Sequence, residues 1–260
     1  MSKNKILLTS FIVLSALAQG CLCAHQGKDT VSQFSTINAL MKGLYDTDFN
    51  YAQIKEYGSF GIGTFNGLDG EMVALNGKFY QVKSDGKVYL VDDSMKSSFC
   101  MVKFFSTDEN ITLKGETDYE HLIKLLEEKI PSKNIFYAVK IEGNFNYVKA
   151  RSVPRQAKPY KGLTAAAKEQ SVFEFKNKRG ALVGFRFPGY MSEVNLAGWH
   201  FHFISEDETC GGHVLDCALA NGLISIDRSS GFCLKLPDNQ DFLNADFKKL
   251  DEAALKKAEQ

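Results

Sequence analysis

The chain has no surplus of either charge: Lys and Arg together number 31, as do Asp and Glu. A dedicated nucleic-acid binder carries a basic excess, so that class is set aside. No apolar run reaches the ~20 residues that a membrane-crossing helix needs, and the longest stands at the very start. No Cys-x-x-Cys pair occurs, so neither a thioredoxin-like motif nor a zinc ribbon is written here. Internal repeats and low-complexity tracts are missing too. Proline is scarce, with five residues, two of them within Pro154–Tyr160. What remains, at 44% hydrophobic and 24% charged residues, is ordinary globular composition.

The apolar stretch Ile6–Ala18 follows Lys3 and Lys5, the layout of an export signal. Small residues at Ala18-Gln19-Gly20 and Leu22-Cys23-Ala24 offer cleavage points, so residues 1–24 are read as a signal peptide and the protein as exported. A buried N-terminal helix is the other reading, but the run has no polar helical face. Cys21 after Leu17-Ala18-Gln19-Gly20 hints at lipoprotein anchoring, although Ala18 stands where such boxes usually carry Leu. Cleavage removes two lysines and no acid, leaving a slightly acidic chain. It also leaves Cys100, Cys210, Cys217 and Cys233. Export permits disulfides, but a core of this size does not need them.

Ile37, Leu40, Met41 and Leu44 sit at helical spacing within Ser35–Tyr45. From Gly61 the turn signals Leu68-Asp69-Gly70, Asn76-Gly77 and Asp85-Gly86 separate short strands at Glu71–Leu75, Lys78–Lys83 and Lys87–Val91. Ser98–Phe105 is a further strand. Thr117-Asp118-Tyr119-Glu120 reads as a capping box opening a helix with Leu122, Leu125 and Leu126 on its face, ending before Pro131. Ile135–Ile141 and Asn144–Val153 are expected to form a hairpin across Glu142-Gly143. The aperiodic Pro154–Tyr160 segment is taken as a boundary between two domains, 34–153 and 161–260. Beyond it come strands at Val172–Lys176, Ala181–Phe187, Trp199–Ser205, His213–Ala218, Leu223–Asp227 and Phe232–Leu236. A closing helix over Asn244–Ala258 carries Phe247, Leu250, Ala254 and Ala258 on one stripe. The expected class is α+β, with two domains of mixed or antiparallel sheet and few helices.

Three of the five histidines fall close together: Gly198-Trp199-His200-Phe201-His202-Phe203-Ile204, then Gly211-Gly212-His213. On a strand, His200 and His202 share one face while Trp199, Phe201 and Phe203 take the other. The polar stretch Glu206–Gly212 reads as the loop between two antiparallel strands, whose return brings His213 across from the pair. Three neutral nitrogen ligands suit Zn2+ and leave a fourth position open, the catalytic arrangement. The bland alternative is three polar positions on an exposed sheet face. Cys210 and Cys217 flank His213, and Cys217 has its parity, so a thiolate ligand stays open; small strand cysteines are more often core filler. His121 reads as a solvated helix residue, and His25 sits beside the cleavage point.

The segments Gly198–Asp207 and Gly211-Gly212-His213-Val214-Leu215-Asp216 resemble the acetolactate decarboxylase family. So do Gly61-Ile62-Gly63-Thr64-Phe65-Asn66-Gly67-Leu68-Asp69-Gly70-Glu71 and Val148-Lys149-Ala150-Arg151-Ser152-Val153. The motifs occur in the family's order and span about residues 34 to 260. The resemblance implies a two-domain fold, a zinc ion, 2-acetolactate as small-molecule substrate, acetoin and CO2 as products, and a homodimer. It implies His200, His202 and His213 as metal ligands, Glu71 as catalytic glutamate, Arg151 as substrate-binding arginine and Thr64 as a pocket residue. It also implies Glu259 as a C-terminal carboxylate reaching the site, with Glu252 as a rival. Lys149-Ala150 departs from the family, which often has a second arginine before the functional one, and Arg151 is the better match.

These types suit the chemistry. Loss of CO2 leaves an electron pair that a Lewis acid can draw into the neighbouring ketone. A guanidinium grips a carboxylate at two points, and a carboxyl group can carry the proton. Without the resemblance, Glu71 would pass for a solvated strand start, Arg151 for part of a basic edge, and Glu259 for a frayed tail. Two rivals stay open. A cupin-type metal enzyme would use His200-x-His202-x3-Glu206, although the downstream half of that pattern is missing. A non-enzymatic exported metal-binding protein would leave Glu71 and Arg151 idle.

Overall fold

The computed structural model describes residues 27–247 and Leu255. The export signal, Cys21, His25, Glu252 and Glu259 lie outside the described residues. Strand β1 (Thr30–Phe34) leads into helix α1 (Ile37–Met41), capped by the Thr36 side chain, and then α2 (Tyr51–Lys55), which has a full capping box from Asn50 and Gln53. Strands β2 (Phe60–Thr64), β3 (Glu71–Leu75), β4 (Lys78–Val82) and β5 (Val88–Leu90) form the expected meander, and β6 (Phe99–Lys103) inserts between β1 and β2.

A second sheet follows. Strand β7 (Glu109–Asp118) runs into helix α3 (Tyr119–Lys129), then come β8 (Phe136–Ser152), the short helix α4 (Leu163–Ala166), β9 (Ser171–Phe187), β10 (Gly198–Ser205) and β11 (Gly211–Ser229). Its order is β10-β9-β8-β11-β7, and β10 pairs with the start of β11 as well, so the sheet curls back on itself. The chain then returns: β12 (Gly231–Lys235) pairs in parallel with β1 and completes a first sheet of order β12-β1-β6-β2-β3-β4-β5. The short helix α5 (Gln240–Leu243) comes last before the tail.

The α+β class with two sheets and few helices holds, but the sheets do not divide at Pro154–Tyr160. Strands β7 and β8 lie before that segment and pair with strands after it, while β12 crosses back to the first sheet. The expected hairpin over 135–153 is instead one 17-residue strand, β8. A Cβ on Gly143 would lie 2.3 Å from the Asn221 carbonyl oxygen, so this glycine serves close approach of β11 rather than a turn. Gly180 does the same against Ile204 and keeps β9 continuous, and the break expected after Ala218 is a register shift inside β11. The cap of α3 is Asp118, not Thr117: its side chain accepts the His121 amide hydrogen. Asn244 ends α5 instead of opening a helix, and Leu250, Ala254 and Ala258 of the expected closing helix lie outside the described residues.

Alternation along the strands assigns the layers. Phe60, Ile62 and Val73 of the first sheet meet Ala138, Val183 and Phe185 of the second in the main core, which also holds Leu255. The Phe60 and Phe185 rings stand 5.7 Å apart across that junction. A second cluster fills the curled sheet beneath α3, and a third packs α2 on the outer face of the first sheet. The sheets are also joined by a buried ion pair: Lys103 Nζ of β6 lies 2.5 Å from Asp227 Oδ1 of β11 and donates to Ser229 Oγ at 2.7 Å. Burial pushes the Lys103 pKa down and the Asp227 pKa up, against the pull of the pair itself.

Removing one partner strands a buried charge. Lys103→Met is expected to cost about 3–5 kcal/mol in denaturant unfolding, and Lys103→Met with Asp227→Leu to recover most of it. A single substitution costing under about 1 kcal/mol would show that the pair does not hold the sheets together.

Candidate metal centre

The histidines owe their placement to β10 and β11. On β10, Phe201 and Phe203 enter the core of the curled sheet, and Trp199 stacks on Phe201 and donates its Nε1 hydrogen to Glu127. His200 and His202 therefore face the first sheet, beside Ile204 of the main core. Strand β11 begins with two glycines because it is wedged between two neighbours. A Cβ on Gly211 would lie 2.4 Å from the Phe203 carbonyl oxygen of β10, and one on Gly212 would lie 2.6 Å from the Arg151 carbonyl oxygen of β8. The next residue, His213, stands opposite His202 on β10 and opposite Arg151 on β8. Three strands thus deliver His202, His213 and Arg151 in one row on one face.

The ring centroids of His200 and His202 are 5.0 Å apart, those of His200 and His213 4.7 Å, and those of His202 and His213 5.4 Å. One nitrogen from each ring falls within 4.8 Å of the others, the one such group among the described residues. His202 Nδ1 donates to the Met72 carbonyl oxygen at 2.8 Å, which leaves Nε2 as the lone-pair nitrogen. That nitrogen is buried, makes no hydrogen bond, and lies 3.6 Å from Glu71 Oε2. His200 Nε2 and His213 Nδ1 are 2.9 Å apart. Burial, with the charge of Arg151 nearby, pushes the His200 pKa down to about 3. Burial holds His202 well below its ordinary value, helped by His200 and Arg151 and opposed by the Met72 hydrogen bond. Both rings are neutral at pH 7, the form that binds a metal. A buried lone pair is a costly feature unless a donor hydrogen or a metal ion meets it. The donor set, its spacing and that orphaned nitrogen fit a divalent ion held by His200, His202 and His213.

The first sheet supplies the opposite wall. Glu71 opens β3 on the same face as Val73, and its register partner is Thr64 at the end of β2. The turn before it needs glycine: Gly70 has φ +85° and a Cβ there would lie 2.3 Å from the Val82 carbonyl oxygen. Thr64 Oγ1 donates to the Gly70 carbonyl at 2.7 Å, and the Gly70 amide donates to the Val153 carbonyl at 3.0 Å, tying the turn to the end of β8. Arg151 Nη1 then reaches Glu71 Oε1 at 3.2 Å, with both side chains buried. The resulting pocket has a polar wall of Thr64, Glu71, Arg151 and the histidines. Its apolar wall includes Ile37, Leu40, Leu68, Phe99 and Leu163.

Thr64, Glu71, Arg151, His200, His202 and His213 are thus brought together, while Glu259 lies outside the described residues. The cysteines stand apart. Parity puts Cys217 on the face of His213, but the register shift between Val214 and Asp216 turns it into the core of the curled sheet. Burial there pushes its thiol up to about 12, so it is no thiolate ligand. Cys210 joins the same core. Glu206 is 62% exposed and 3.4 Å from Arg179, so the cupin-like set is not assembled. His121 is exposed beside Asp118, as expected. Sequence reasoning missed the Met72 carbonyl, since a backbone acceptor has no sequence signal. It also read Leu40 only as a helix face and did not see Phe99 or Leu163 as pocket residues.

Comparison with known proteins gives the family. The family model described as alpha-acetolactate decarboxylase matches residues 31–249. The alpha-acetolactate decarboxylase of Methanosarcina mazei is 46% identical over 236 residues, covering 91% of this chain and 82% of its own length. That of Bacillus subtilis is 40% identical, covering 86% of this chain and 88% of its own. The crystal structure of alpha-acetolactate decarboxylase from Bacillus subtilis strain 168 superposes with a TM-score of 0.87 at 38% identity, over 88% of this chain and 99% of that one. The chain belongs to the alpha-acetolactate decarboxylase family.

Proposed function

We propose that this enzyme converts 2-acetolactate to acetoin and CO2 with a zinc ion held by His200, His202 and His213. One observation carries the reading: three imidazoles share a buried pocket with a carboxylate and a guanidinium, opposite an apolar wall. The substrate has the matching halves, a carboxylate with two further oxygens and two methyl groups. A zinc ion bound by these rings supplies Lewis-acid polarisation of the ketone.

The chain's own groups do the rest. Arg151, fixed in register beside His213, binds the carboxylate through its planar fork and orients the carbon–carbon bond to be broken. When CO2 departs, its bonding pair stays on the hydroxylated carbon and delocalises into the neighbouring carbonyl. The balance needs one proton at that carbon. Glu71, paired with Arg151 in the pocket, holds and delivers it on one face, giving a single acetoin enantiomer. Thr64 keeps the turn before Glu71 in place through its bond to Gly70. The apolar wall and the buried position exclude water, which strengthens each of these interactions. Glu259 is carried in the same proposal as a second carboxylate. Export after signal-peptide cleavage, either past residue 24 or before a lipid-anchored Cys21, remains part of the proposal on sequence grounds, and a homodimer on the family resemblance.

Acetoin formation from racemic acetolactate by the purified, zinc-loaded chain tests the reading, and no acetoin would refute it. In the same assay Glu71→Gln keeps shape and removes the transferable proton. Turnover is expected to fall about 100-fold or more with bound metal retained. Undiminished turnover would remove Glu71 as proton carrier. Arg151→Lys keeps the charge but loses the fork, and kcat/KM is expected to fall by about 10- to 100-fold. Wild-type kcat/KM in that variant would place Arg151 outside the carboxylate site.

A further inference from the structure

The apolar wall has two origins. Leu68, Phe99 and Val153 come from the same segments that carry the polar groups: Leu68 belongs to the turn before Glu71, Phe99 is the register partner of Thr64, and Val153 follows Arg151 by two residues. Ile37 and Leu40 of α1 and Leu163 of α4 come from neither sheet. Leu40 and Leu163 are buried there, at 4% and 2% exposure.

This cover is fixed rather than mobile. The chain after α1 and the chain before α4 meet through two glycines. A Cβ on Gly43, which has φ +80°, would lie 2.8 Å from the Lys161 carbonyl oxygen, and one on Gly162 would lie 2.8 Å from that of Met41. The start of α1 is braced too. The Ile37 amide and Gln33 Nε2 both donate to the Val194 carbonyl at 2.9 Å, and Asn195 Nδ2 donates to Gln33 Oε1 at 2.7 Å. The cover cannot swing away from a longer ligand without breaking the bonds at the start of α1 and parting the closely packed backbones at Gly43 and Gly162.

We propose that Leu40 and Leu163 form a size gate for the alkyl groups of branched 2-hydroxy-3-oxo acids. The inference rests on the decarboxylase reading of the pocket. The carboxylate, hydroxyl and ketone of such an acid are drawn to the polar wall, because burying them elsewhere leaves them without partners. Its alkyl groups then meet the apolar wall. A rigid apolar wall discriminates by about 10- to 200-fold for one extra methylene. The polar wall recognises the whole substrate class, and these two leucines set which members are taken.

The test compares 2-acetolactate with two longer homologues, one bearing propyl in place of the methyl on the hydroxylated carbon and one bearing butanoyl in place of acetyl. In Leu40→Ala and Leu163→Ala, the kcat/KM ratio of at least one homologue to acetolactate is expected to rise about tenfold or more. Leu163→Val is expected to give a smaller rise in the same direction and keeps the test open if the alanine variants do not fold. Leu163→Phe is expected to lower the ratio. A merely structural role would depress all substrates alike and leave the ratio unmoved. Ratios unchanged within about twofold in active protein would overturn the gate alone. A wild-type chain that decarboxylates none of the three would overturn the decarboxylase reading and the gate with it.

Discussion

His213 stands opposite His202 on one neighbouring strand and opposite Arg151 on the other, and the pocket is built outward from that register. It exists because β11 starts between two strands at once, at a spacing that only Gly211 and Gly212 tolerate there. A slip of one residue would send both histidine strands' ligands into the core of the curled sheet and bring Phe201 and Phe203 out. The aromatic face of β10 resists that slip, since those rings fill the core beneath α3. The packing that stabilises the second sheet therefore fixes the direction of the imidazoles.

The first sheet completes the pocket from the other side. Met72 and Glu71 are neighbours on β3, so their polar groups diverge by one step of the pleat: a carbonyl that orients His202, and a carboxylate that meets Arg151. The guanidinium has two consequences. It pairs with Glu71, and together with burial it keeps His200 and His202 uncharged. The neutral His202 ring, with one nitrogen committed to a backbone carbonyl, is prepared to give the other to a metal. Holding the sheets at this distance falls to the main core and the Lys103–Asp227 pair.

Much of this was legible in the residues. Alternation in Trp199–Phe203 gave the histidine face, and the Gly-Gly before His213 marked the return strand. The resemblance to a family singled out Thr64, Glu71 and Arg151 from residues that look ordinary. What escaped reading has one main physical cause. Glycine marks both a turn and a place where another backbone comes close, and at Gly143 and Gly180 it is the second. Two long strands, β8 and β9, therefore read as pairs of short ones; β11 did so because of its register shifts, and the aperiodic, proline-bearing Pro154–Tyr160 segment lies where no sheet divides. The solvated β7 gave little strand pattern, with most of its residues exposed. Cys217 shows the limit of parity arguments, since one register shift reverses every face after it.

The central claim is that the three imidazoles hold a divalent ion on which the reaction depends. Exhaustive chelation of the purified chain, followed by metal analysis and an acetoin assay before and after zinc is returned, tests it most directly. The account predicts loss of activity with the metal and recovery on adding zinc to about one ion per chain, the stoichiometry of a single three-histidine site. Metal-free protein that still forms acetoin at the original rate would contradict it.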